Sequence, residues 1–177
     1  MIEHRYHLAG SGRLDAFRLY AAICRALPCA HGAGWAIAAR DGREFVIRGP
    51  DSAPQITRLD LDGDGSVTLV GSTTIAPAPA LSSRIVVIRL TRPPPLGDPE
   101  FRARVVAHIT DRAEILGADH VEVSPDPQHV RVHGRAVRGY GVRVTTSDPK
   151  ASLRVLELGI GGKRSMGCGV FFAEPTP

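Results

Sequence analysis

Between Gly159 and Phe171 the chain reads Gly-Ile-Gly-Gly-Lys-Arg-Ser-Met-Gly-Cys-Gly-Val-Phe, five glycines in eleven positions around a Lys-Arg pair. Glycine at that density costs backbone entropy and is kept where something approaches the backbone closely or where φ must turn positive. Consecutive N–H groups in such a turn can point at one spot, and Lys163 and Arg164 make that spot attractive to an anion such as a phosphate. The alternative is a turn whose glycines serve local geometry alone. Two familiar phosphate loops fail on spacing. A Walker loop needs Gly at position 157 and Ser or Thr at 164, where the chain has Glu157 and Arg164. A dinucleotide fingerprint needs a helix after the loop, and Val170-Phe171-Phe172 reads as a strand.

A second stretch, Val130 to Tyr140, carries Arg131, His133, Arg135 and Arg138 around the turn His133-Gly134. Between Gln128 and Phe172 the cations also include Arg143, Lys150, Arg154, Lys163 and Arg164, against only Asp148 and Glu157. A basic surface of this kind is the electrostatic footprint of a nucleic-acid binder, or else a solvated face of Arg-rich strands. A histidine, His31, follows Leu27-Pro28-Cys29-Ala30 in a loop, which favours an exposed imidazole able to act as base or acid. His4, His7, His108, His120, His129 and His133 have weaker claims. His108 falls on or beside the inner stripe of a helix and is expected to be packed.

Asp60-Leu61-Asp62-Gly63-Asp64-Gly65 imitates the start of a calcium loop, but position twelve is Gly71 instead of a bidentate Glu, so a polar turn is expected. Cys24, Cys29 and Cys168 are odd in number and lack CxxC spacing, which suggests neither a disulfide framework nor a zinc site. No metal and no cofactor are expected. With 177 residues, 43% of them hydrophobic, and a formal net charge of +4, the chain suits one ordinary domain or two small ones. No apolar run is long enough for a membrane span, and the N-terminus lacks the apolar segment of a secretory signal, so a cytoplasmic place and no membrane partner are expected.

The elements that must position these groups follow from periodicity. Glu3 to Ala9 alternates as a strand, with Tyr6 and Leu8 on one face and Arg5 and His7 on the other. Ser11-Gly12 opens a helix with an expected inner stripe of Leu14, Phe17, Ala21, Cys24 and Leu27. Trp35–Ala39 and Glu44–Arg48 flank the hairpin signal Asp41-Gly42. A weak helix over Asp51–Asp60 and a strand over Ser66–Ile75 complete the first half, before the connector Ala76-Pro77-Ala78-Pro79-Ala80.

The second half begins with a strand over Arg84–Leu90. Asp98-Pro99 and Asp148-Pro149 read as N-caps followed by Pro at the first helical position. The first of these helices carries Phe101, Val105, Ile109, Ala113 and Leu116 inward, and the second carries Leu153, Leu156 and Leu158. His120–Ser124 and Gln128–Thr146 supply strands, and Cys168–Ala173 is the last one. Both halves thus read strand, helix, strand, strand, helix, strand. The expected fold is α+β: tandem ferredoxin-like βαββαβ units with a C-terminal glycine-rich loop, one over residues 1–80 and the other over 81–177.

At these residues the chain resembles the CRISPR-associated endoribonucleases that process precursor CRISPR RNA, within the superfamily of repeat-associated RNA-binding proteins. The loop Gly159–Phe171 looks like the family's glycine-rich signature, Val130–Tyr140 is similar to its basic hairpin, and His31 stands just past the first helix where such enzymes keep a histidine. The resemblance implies metal-independent cleavage of CRISPR repeat RNA, in which the ribose 2′-hydroxyl attacks the scissile phosphate and leaves a 2′,3′-cyclic phosphate. It makes His31 the general base and the glycine loop a phosphate cradle, with Arg131, His133, Arg135, Arg138, Gly159, Gly161, Gly162, Lys163 and Arg164 on the RNA. The family's second active-site group has no unambiguous counterpart; Tyr20 is the candidate, and the bland reading makes it an aromatic at the helix–sheet interface. Two alternatives remain: a non-catalytic RNA-binding subunit in contact with other subunits of a CRISPR effector complex, and a ferredoxin-like domain that binds an anionic metabolite.

Overall fold

In the computed structural model, residues 1–9, 16–26, 36–39, 43–49, 56–61, 65–90, 98–132, 135–164 and 167–175 are described. The chain divides into two compact units, Met1–Ile75 with Arg164–Gly167, and Ala76–Lys163 with Cys168–Pro177.

The first unit starts from the alternation in β1 (Ile2–Ala9), where Tyr6 and Leu8 are buried and Arg5 and His7 exposed, as the period-two pattern predicts. It continues with α1 (Ala16–Ala26), β2 (Ala36–Ala39), β3 (Glu44–Gly49), β4 (Arg58–Asp60) and β5 (Ser66–Thr74) in an antiparallel sheet of order β2-β3-β1-β5-β4. The first strand is interior, between the third and the last, as a split β-α-β arrangement requires. The expected helix over Asp51–Asp60 is corrected within the described residues: Arg58–Asp60 pairs with Thr68–Ser66 as an edge strand, and residues 51–55 lie outside them. The stripe of α1 is also corrected. Leu19, Ala22 and Ile23 are buried, whereas Ala21 and Cys24 are half-buried.

Tyr6 stacks on its register partner Phe45, ring centroids 5.4 Å apart, inside a core with Leu8, Ile23, Ile37 and Ile47. Its hydroxyl donates to the Ile56 carbonyl at 2.8 Å, and burial pushes it up to about 12. The unfolded chain ionises this phenol near its ordinary value of 10.0, so stability should fall as pH climbs from 10 towards 12. Tyr6→Phe should cost about 1 kcal/mol at neutral pH, one net hydrogen bond, and lose that alkaline decline. Urea unfolding of both proteins at neutral and alkaline pH checks this; parallel curves would refute it. On the other face, Arg48 Nε and Nη2 reach Glu3 Oε2 at 2.9 and 2.8 Å in a buried ion pair between register partners.

The second unit comprises β6 (Ala80–Val86), α2 (Pro99–Ile115), β7 (His120–Val132), β8 (Arg135–Thr145), α3 (Pro149–Leu158) and β9 (Phe172–Ala173). Its antiparallel sheet has the order β7-β8-β6-β9, again with the first strand between the third and the last. The tandem ferredoxin-like arrangement is therefore present in both sheets. Both helix starts are as read from sequence: Asp98 accepts from Glu100 N and Asp148 from Lys150 N, each at 2.8 Å, with Pro in the first turn. Val105, Ile109 and Ala113 bury the inner face of α2. On α3 the buried set is Ala151, Ser152, Val155 and Leu156, while Leu153 and Leu158 are exposed. β6 begins at Ala80, earlier than the expected Arg84, and ends at Val86; the last strand shrinks to Phe172–Ala173.

Candidate nucleic-acid interface

The hairpin of β7 and β8 pairs as far as Val132 with Arg135; His133 and Gly134, where the turn is expected, lie outside the described residues. Arg131 pairs opposite Ala136 and Arg135 opposite Val132. Nearer the sheet, β7 must pass Pro125 and Pro127, which have no N–H for the ladder. A register shift between Val123 and Pro127 absorbs them. Ser124 Oγ stitches the gap, accepting from Gly141 N and donating to Asp126 O, both at 3.0 Å. Arg138 is anchored: its guanidinium lies 5.8 Å from the Phe101 ring centroid and 5.9 Å from that of Tyr140, joining the hairpin to α2 through cation–π contacts. Val130 and Val137, half-buried, pack with Ile85, Val87 and Cys168, so the hairpin base is also tied to the glycine loop.

Several cations of the basic stretch are already engaged. Arg143 Nε meets both carboxylate oxygens of Glu174 at 3.1 and 2.9 Å, with Glu122 at 3.7 Å, and Glu174 foremost holds the guanidinium above its usual value. Arg154 Nε donates to the Leu116 carbonyl at 3.1 Å, and its Nη2 lies 3.7 Å from Asp148.

The glycine loop is braced by its own amides. Gly159 caps α3 with φ +61° and donates to Val155 O; Gly162 N donates to Val87 O at 2.9 Å; Gly169 N donates to Ile85 O at 2.7 Å. The close approach anticipated from the glycines is supplied at two positions by the chain itself. A Cβ on Gly161 would lie 2.6 Å from Val87 O, and one on Gly169 would collide with the Ile160 carbonyl oxygen. Gly162 differs: its added Cβ would meet nothing nearer than Val87 O at 4.0 Å, and its φ is not left-handed. Lys163 is exposed and sits at φ +65°, a left-handed conformation that a side chain adopts at a cost of about 1 kcal/mol. Arg164 is half-buried, and Ser165-Met166 lie outside the described residues. Burial pushes the Cys168 thiol up to about 11, against the opposing pull of Lys163, so it remains protonated and unreactive at neutral pH.

His31 lies outside the described residues. Tyr20 is on α1, half-buried against the core of the first unit, and bonds to Cys24, which with burial raises its hydroxyl above the usual value. It therefore holds its proton at neutral pH. His108 is exposed, which corrects its expected packing: it shares a flank of α2 with Arg104 and Arg112, one residue and so about 100° round the helix from Val105, Ile109 and Ala113. These residues were missed although Arg104, His108 and Arg112 recur at every fourth position. Arg89, His108 and Arg112 line one cleft with Gly159–Gly162, and Arg104 lines a neighbouring one with Arg89 and His108. Among the described residues no group of three His, Cys, Asp or Glu is placed to hold a metal ion, and no helix is long and apolar enough to cross a membrane.

Comparison with known proteins gives this arrangement relatives. A "CRISPR-associated endonuclease Cas6" from Myxococcus xanthus (strain DK1622) is 31% identical over 97 residues, 55% of this chain and 39% of that protein. The chain thus matches about two fifths of that relative's length. Among solved structures, the CRISPR-associated protein Cas6e from Escherichia coli K-12 superposes with a TM-score of 0.59 at 16% identity, over 99% of this chain and 100% of that one. Cse3 of Thermus thermophilus, bound to an RNA representing a pre-cleavage complex, gives 0.58 at 17% identity, over 98% of each chain. At such identities these two bear on the fold, which they share with both units. The family model described as Cas6 Crispr matches residues 53–175, a span holding the hairpin, both capped helices and the glycine loop, and the chain accordingly belongs to the Cas6 family of CRISPR proteins.

Proposed function

We propose that the chain is an endoribonuclease that cuts CRISPR repeat RNA in precursor transcripts to give guide RNAs, acting in the cytoplasm without a metal ion. The observation that carries this is the match of residues 53–175 to the Cas6 family, because that span contains the hairpin and the loop. RNA supplies its own nucleophile: once a base removes the 2′-hydroxyl proton, the oxygen attacks the adjacent phosphorus, the 5′-oxygen leaves with a proton, and a 2′,3′-cyclic phosphate remains. His31 is the proposed base. Tyr20, which keeps its proton, is the proposed donor to the phosphate or the leaving oxygen. Arg131, His133 and Arg135 at the hairpin tip contact the stem backbone, while Arg138 fixes the hairpin from α2. Lys163 and Arg164, with Gly159, Gly161 and Gly162, hold backbone phosphate. An exposed cation in a left-handed conformation is the kind of local strain that functional sites retain.

Incubation with the repeat RNA and excess EDTA should yield a shortened product ending in a cyclic phosphate, identified by mass and by its resistance to periodate. Chelator-dependent cutting would overturn the chemistry. Binding without cutting, as a subunit of a CRISPR effector complex, is a second reading with one observation in its favour: the matched span begins at residue 53, beyond both Tyr20 and His31. Tight RNA binding with intact substrate after long incubation would select it.

A further inference from the structure

We infer that a cleft in the second unit, next to the glycine loop, holds the sugar-phosphate backbone of the single-stranded RNA that continues from the strand gripped by that loop. This rests on the RNA-binding part of the function proposed above. The cleft encloses about 340 Å³ between the flank of α2 that carries His108 and Arg112, the segment following β6 and the end of α3. Its wall on one side is the backbone of Gly159–Gly162, so a strand held at Lys163 passes directly into it. The same cleft is lined by the exposed cations Arg89 and Arg112, with His108; Arg89 lies two residues beyond Val87, which bridges to Gly162. A shallower continuation is lined by Arg89, His108 and Arg104, where Asp111 is the acidic residue. Ile115 is 71% exposed and Leu158 52%, and both border the same cleft.

Two arginines, a glycine backbone and exposed aliphatic side chains around one cleft suit a chain of phosphates and riboses. An acidic, apolar protein segment would also complement the charge. Continuity with the loop favours the nucleic acid, because the residues that grip the strand and those that wall the cleft are consecutive. Phosphate contacts of this kind are independent of base sequence and read out as salt dependence.

The test is fluorescence anisotropy with a short oligouridylate, which has no hairpin for the basic turn to hold, across a series of salt concentrations. Arg89→Ala/Arg112→Ala should weaken binding about tenfold at moderate salt and make the slope of log K against log[salt] shallower by about 1.4, two single-strand phosphate contacts. Arg89→Lys/Arg112→Lys, which keeps the charges, should restore the slope. Ultraviolet crosslinking of a 4-thiouridine version should mark the peptide spanning α2. Wild-type protein that binds no RNA under any salt would sink the RNA reading itself. Wild-type binding with an unchanged slope in the Ala variant, and crosslinks elsewhere, would overturn this inference alone and leave the cleft to a protein segment.

Discussion

His31→Ala is expected to slow cleavage of repeat RNA by roughly 100- to 10,000-fold, the usual worth of a positioned general base, while leaving RNA affinity within about twofold. The separation follows from the division of labour. An imidazole that only accepts the 2′-hydroxyl proton acts in the transition state and adds little to ground-state binding, so it should lower kcat and kcat/KM together. The proposed phosphate grip lies elsewhere, on exposed Lys163 and the hairpin arginines. Tyr20→Phe should cost about tenfold, the value of one hydrogen bond to a charged group, since its hydroxyl already has Cys24 as a partner. Single-turnover rates with protein in excess, alongside filter-binding affinities, measure both quantities. A His31→Ala protein that cuts at the wild-type rate removes the proposed base; one that no longer binds RNA makes His31 a contact and not a base.

The parts of the fold that could be read from sequence are those fixed by neighbours along the chain. Asp98-Pro99 and Asp148-Pro149 are legible as helix starts because the cap bond spans two residues, to Glu100 N and Lys150 N. The β1 alternation and the pairing of the two strands on either side of residues 133–134 are legible for the same reason. What failed depends on partners far away. In α1, Ala21, Ala22, Ile23 and Cys24 are all apolar enough to face inward, so periodicity allows more than one stripe, and packing on the sheet selects the one through Leu19, Ala22 and Ile23. β6 opens with Ala-Leu-Ser-Ser, a poor strand by composition, yet Ser82 pairs with Arg143 and Ser83 with Val142, some sixty residues on. His108 does stand beside the inner stripe of α2, but the spacing of Arg104, His108 and Arg112 marks an exposed flank and not a packed one.

The glycine loop is the instructive mixture. Its composition correctly signals close approach of backbone, but composition cannot say by what. At Gly161 the approaching atom is the carbonyl of Val87, which enters from the end of β6, and at Gly169 it is the carbonyl of Ile160. Only at Gly162 does the described fold make no demand for glycine, and there the earlier interpretation, an external ligand, keeps its force.

Gly169→Ala should therefore destabilise the second unit by about 4 kcal/mol, high for a single substitution, and lower its melting temperature by roughly 20 °C. Two costs add. The residue occupies φ +69°, where a Cβ is unfavourable, and that Cβ would overlap the Ile160 carbonyl oxygen and lie 3.0 Å from its carbon, backbone atoms that no rotamer change can move aside. Relief requires the loop to shift, and the shift breaks Gly169 N to Ile85 O at 2.7 Å and Ile160 N to Gly169 O at 3.2 Å, the bonds that pin both ends of the turn. Gly162→Ala supplies the contrast. Its Cβ meets only open space, so stability should stay within about 0.5 kcal/mol of wild type, while RNA affinity falls about tenfold because a methyl group stands where a phosphate must come close. Urea unfolding paired with RNA binding for both variants tests the two roles together. Equal stability losses in the two proteins would make every glycine of the loop architectural, and an unaffected RNA affinity in Gly162→Ala would take the loop off the RNA.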